Sequence, residues 1–84
     1  MDRGTDTDVA ASVVVRDDPI NIGPYVSWVF RWKLGVEPGE ATALMLAIHE
    51  GGQATVFRGP LAECEQLVAD LHVHGLWATL ERGR

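Results

Sequence analysis

The sequence predicts one α+β domain in the order β-α-α-β-α-β, an open sandwich in which three helices cover a three-stranded antiparallel or mixed sheet. Three observations carry that prediction. Short β-branched or aromatic runs recur at Val13 to Val15, Thr55 to Phe57 and Leu76 to Leu80, and such runs suit a pleated, partly buried surface. Between them lie stretches whose apolar residues repeat at helical spacing. Prolines stand where those stretches open and glycines where they close.

The elements follow in chain order. Residues 1–12 hold aspartates and threonines and almost no large apolar side chain, so little offsets the entropy of ordering them. A flexible acidic tail is expected there, ahead of a domain spanning 13–84. Val13-Val14-Val15 reads as a buried strand ended by Asp17-Asp18-Pro19, with a loop through Asn21 and Gly23. Pro24 opens a first helix, in which Tyr25, Val29 and Trp32 recur before Gly35. Pro38 opens a second, and Ala41 to His49 are good or neutral helix formers ended by Gly51-Gly52. Gln53 to Arg58 forms the next strand. Pro60 starts a third helix with Leu61, Cys64, Leu67, Val68 and Leu71 on one face, Gly75 stops it, and Leu76 to Leu80 closes the sheet.

Eighty-four residues make one small domain, too small for a large enclosed active site. Twelve acids against seven basic residues leave a net charge of -5, which disfavours nucleic acid and anionic membrane surfaces as partners. No apolar run reaches the ~20 residues that span a bilayer, and the acidic start is unlike a secretory signal. A cytoplasmic, monomeric protein is expected. Cys64 is the single cysteine; it has no partner for an internal disulfide, and its apolar surroundings predict a buried, inert thiol.

Few residues could carry chemistry. Asp17 and Asp18 directly follow a strand, where two carboxylates either attract a cation or simply make a solvated turn. His49 ends the second helix at the border of its apolar stripe, as a packed structural ring or as a hydrogen-bond acceptor. His72 and His74 are two apart on a helix and point in different directions, which predicts solvated rings and no metal site. No phosphate loop, nucleophile elbow or metal motif occurs, so neither a cofactor nor catalysis is expected. Trp28 and Trp32 lie one helical turn apart and could anchor a partner, but in so small a domain core packing is the expectation.

Three segments taken together resemble a known family: Val13-Val14-Val15-Arg16-Asp17-Asp18-Pro19-Ile20-Asn21, then Ala43-Leu44-Met45-Leu46-Ala47-Ile48-His49-Glu50-Gly51-Gly52, then His74-Gly75-Leu76-Trp77-Ala78-Thr79-Leu80-Glu81. The likeness is to the Clp protease adaptor ClpS, in its tryptophan-containing branch, and it covers nearly everything after Ser12. It implies the fold shared with the C-terminal domain of ribosomal protein L7/L12. It also implies a non-enzymatic adaptor that binds N-degrons, proteins starting with Leu, Phe, Tyr or Trp, and hands them to a Clp AAA+ unfoldase of ClpA or ClpC type. By the same likeness Asp18 and His49 hold the α-amino group, with Asp17 at the preceding position of the motif. Asn21 lies beside the bound peptide backbone, and Val15, Val26, Met45, Ile48 and Leu76 line the pocket for the first side chain.

The chain departs from the family pattern at three places. Asp17 replaces an Asn, which adds negative charge and removes an amide donor. Gly23 stands where the family has a methionine that gates the pocket and excludes β-branched first residues, which implies a wider entrance. In the helix that docks on Clp, Leu67 stands where the family has a lysine, while Glu65 matches an acidic position. Two rival readings remain. One is a non-catalytic interaction domain of the same fold without N-degron binding; the other is a small Asp-His hydrolase, which lacks a nucleophile placed near both residues.

Overall fold

The computed structural model describes residues 10–18, 20 and 23–82. Within them run β1 (Ala10–Arg16), α1 (Gly23–Leu34), α2 (Pro38–Gly51), β2 (Gln53–Pro60), α3 (Leu61–Val73) and β3 (Trp77–Arg82), the β-α-α-β-α-β order that the sequence predicts. The sheet order is β2-β1-β3 and both pairings are antiparallel. β1 is therefore the central strand, which explains its near-continuous burial. Val15 faces Ala54 on one side and Ala78 on the other.

β1 starts at Ala10, three residues ahead of the expected Val13. Ala10, Ala11 and Ser12 pair with Pro60, Gly59 and Arg58. Their side chains are too small to announce a strand, yet Ala11 is fully buried in the core, so pairing on both flanks decides where local propensity is weak. Residues 1–9 lie outside the described residues.

The core is one cluster in which Val13 and Val15 of β1 meet Val29 and Phe30 of α1, Ile48 of α2, and Cys64, Leu67 and Leu71 of α3. The expected stripe of α3 is the buried one, and Cys64 is buried as predicted. Core packing of the tryptophans is overturned. Trp28 and Trp32 are 50% and 56% exposed because α1 turns Val29 and Phe30 inward. His72 and His74 also have partners: an Nε2 of His72 lies 2.7 Å from the Ala78 carbonyl oxygen, and His74 packs edge-on against Trp32.

A cavity at the junction of strand end and helix end

Four parts of the chain meet at one end of the sheet. The end of β1 brings Val15 and Arg16, followed by Asp17 and Asp18; the first turn of α1 brings Gly23 and Val26; the last turns of α2 bring Met45, Ile48 and His49; Leu76 precedes β3. Together they line a single cavity of about 290 Å³. Every pocket and amine-site residue expected from the sequence is in this lining except Asn21, which lies outside the described residues. Arg16 joins it, a placement the sequence left open.

Local geometry explains the convergence. Met45, Ile48 and His49 are spaced i, i+3 and i+4, which puts them on one face of α2. Gly52 then turns the chain with φ 88°, a left-handed conformation that costs little only without a Cβ. Its N–H donates to the Ile48 carbonyl at 2.8 Å, and its own carbonyl accepts the Asp17 N–H at 2.8 Å. The helix end and the strand end are thereby tied together, and the side chains between them are positioned by regular structure. Leu76 is fixed separately through its N–H to the Leu71 carbonyl at 3.0 Å.

The hollow is apolar and its rim is polar. Val15, Ile48 and Leu76 are at most 4% exposed. At the rim, Asp17 Oδ1 lies 4.0 Å from His49 Nδ1, with side chains 48% and 75% exposed. Asp17 Oδ1 also accepts the Asp18 N–H at 3.1 Å. Asp17 Oδ1 thus lies beside the imidazole, and Asp18, which the resemblance sets with His49 at the amine site, lines the same cavity. One Asp18 oxygen accepts the Ile20 N–H at 2.9 Å, a local turn of the kind aspartate favours.

Two further expectations are refined by packing. The space beside Gly23 is occupied: a Cβ there would stand 3.0 Å from Met45 Sδ and 3.2 Å from its Cε. Leu67 belongs to the core of α3 and is no surface substitute for a docking lysine, while Glu65 is exposed on that helix.

Among the described residues the lining contains no serine, cysteine, threonine or lysine to act as a nucleophile. Among the described residues no group of three His, Cys, Asp or Glu side chains is placed to hold a metal ion, and no helix is long and apolar enough to cross a membrane. What the arrangement can do is bind a ligand with an apolar body and a cationic head.

Comparison with known proteins gives the same direction. Residues 7–79 match the family model described as ATP-dependent Clp protease adaptor protein ClpS. The chain is 42% identical over 77 residues to the ATP-dependent Clp protease adapter protein ClpS of Streptomyces avermitilis, covering 92% of this chain and 73% of that protein. It is 42% identical over 78 residues to the ClpS of Mycobacterium tuberculosis strain H37Rv, covering 93% and 77%. Agrobacterium tumefaciens ClpS2, solved with bound L-phenylalaninamide, superposes with a TM-score of 0.82 at 18% identity, over 90% of this chain and 99% of that one; at that identity the likeness is one of fold.

Proposed function

Since this chain belongs to the ClpS family of ATP-dependent Clp protease adaptors, which are non-catalytic, we propose that its cavity receives the first residue of proteins with a free N-terminal Leu, Phe, Tyr or Trp. The adaptor then delivers them, as a monomer, to a Clp AAA+ unfoldase of ClpA or ClpC type, with the exposed face of α3 around Glu65 as the docking side. The observation that carries this reading is the union of an apolar hollow of about 290 Å³ with Asp17, Asp18 and His49 at its mouth.

An α-ammonium brings three N–H donors and a positive charge, and entering a rim requires acceptors that replace its water. Two carboxylates and an imidazole nitrogen supply them. Ile48 and His49 lie in the last turn of α2, and the negative end of a helix dipole favours a cation nearby. Each charge-assisted hydrogen bond contributes ~1.5–3 kcal/mol, and burial of a Leu or Phe side chain a further ~1.5–3 kcal/mol. After the cost of association this amounts to roughly micromolar affinity, tight enough for capture and weak enough for release. The L-phenylalaninamide in Agrobacterium tumefaciens ClpS2 has the same two parts, a free α-amine and an apolar ring.

The test is binding of peptides starting with Leu, Phe or Ala, each with a free or acetylated amine, to the wild type and to Asp17→Asn. Leu and Phe peptides should bind only with a free amine, and Asp17→Asn should weaken them about tenfold, the low end for a charged bond at a half-exposed group. Equal binding of free and acetylated peptides would sink the reading.

A further inference from the structure

Two of the chain's three tryptophans stand on α1, and both are left about half exposed while Val29 and Phe30 fill the core. A small domain has little apolar surface to spare for such use. The exposed rings are nevertheless held in place. Trp28 lies 5.1 Å from Trp32 and 6.3 Å from Tyr25, whose hydroxyl donates to the His74 carbonyl at 2.9 Å, and the His74 ring meets Trp32 edge-on at 4.9 Å. Lys33 Nζ sits 4.5 Å from the centre of the Trp32 ring. A surface ordered in advance loses less entropy when a partner settles on it. Beside the pair runs an open groove of about 400 Å³, lined by Trp28 and Trp32 and by Val36 and Pro38 of the turn that follows, with Arg31 and Glu37 as its charged groups. Neither tryptophan touches the cavity at the other end of α1.

We propose that this groove docks an acidic, proline-rich segment of a partner protein. Charge selects the acidic character: α1 carries Arg31 and Lys33 and no acid, in a chain whose net charge is -5, so an acidic ligand is drawn to this helix and repelled by the surface as a whole. Glu37 in the same lining disfavours an acid beside it and so fixes which way round the ligand lies. The same cations oppose a second copy of this chain, which would set Arg31 and Lys33 against themselves. Shape selects the proline. The N–H groups at this end of α1 are used inside the helix, so no strand can be added to it, and the ligand must bring a conformation of its own. A polyproline II segment does so: it has no internal hydrogen bonds, gives up little freedom on binding, and docks on aromatic grooves. Its carbonyls accept from indole N–H groups, and acids between its prolines pair with Arg31 and Lys33.

The experiment is fluorescence anisotropy of labelled, N-acetylated peptides of alternating Pro and Glu, Pro and Lys, or Gly and Glu, and of an acidic amphipathic helix, titrated with wild type, Trp32→Ala, Trp32→Phe and Arg31→Glu. Acetylation removes the free amine, so the cavity does not compete for them. Thermal melts show that each variant is folded, and affinity for a free Leu-starting peptide should stay within about twofold of wild type because neither residue lines the cavity. The Pro-Glu peptide should bind wild type about tenfold more tightly than the other three; Trp32→Ala should lose about tenfold, and Trp32→Phe, which keeps a ring, only about threefold. Arg31→Glu should turn the preference toward the Pro-Lys peptide, and it carries the test if Trp32→Ala melts early. No binding of the Pro-Glu peptide at ~1 mM overturns the proposal. So does equal binding of the Gly-Glu peptide, which would show charge acting alone, or tighter binding of the helix. A dimer in sedimentation that Trp32→Ala abolishes would give the groove to a second copy and overturn it as well.

Discussion

Asp17 Oδ1 and His49 Nδ1 lie 4.0 Å apart, so a ligand's ammonium group can meet the ring as a hydrogen-bond acceptor while Asp17 supplies negative potential. Replacing the ring by His49→Ala is therefore expected to weaken binding of a free Leu-starting peptide severalfold. Fluorescence anisotropy of a labelled peptide measures it, and an unchanged affinity removes His49 as an acceptor. The residues of this rim were readable in the sequence because acids after a strand and a histidine after an apolar helical stripe are local patterns. How these residues are held together was not readable. That depends on a hand-over between strand and turn, in which the Asp17 N–H bonds to the Gly52 carbonyl and an Asp18 oxygen accepts from the Ile20 N–H.

At the scale of elements, each strand and helix was legible because proline and glycine punctuate the chain at its joints, but the faces and ends were less so. α1 shows why. Tyr25, Val29 and Trp32 share a helical spacing, yet Val29 and Phe30 are the buried pair and Trp32 joins an exposed row, with Trp28 at 5.1 Å and Lys33 Nζ 4.5 Å from its ring. Periodicity identifies a stripe only to within a step of the helix, and the packing partners choose its centre. The joint between α2 and β2 is the element boundary on which the rim depends. Nothing lies within 4 Å of a Cβ built on Gly52, so Gly52→Ala is opposed by backbone conformation alone. It should cost about 1 kcal/mol and lower Tm by about 4–8 °C. Peptide affinity should fall with it, because the carbonyl that holds Asp17 is carried on that residue. A variant with wild-type Tm and wild-type affinity would show that the turn can be made without glycine.

Over the whole molecule, charge and shape act on the approach of a ligand more than on its final contacts. The chain carries a net charge of -5, and two of its acids sit at the mouth of the cavity. A free chain start is cationic, so the field of the protein draws it toward the rim before any contact forms. Arg16, also at the rim, opposes that attraction in part. Because the rim is solvent-exposed, mobile ions screen the field over ~8 Å at physiological salt and ~30 Å at a tenfold lower concentration or less. The apolar hollow beneath is insensitive to such screening. Stopped-flow association of a Leu-starting peptide should therefore slow severalfold between about 0.01 M and about 0.15 M salt, with a much smaller change in the dissociation rate. If the association rate proves independent of salt while the dissociation rate carries the whole effect, the charges of the rim act only after docking and the protein's overall field plays no part in capture.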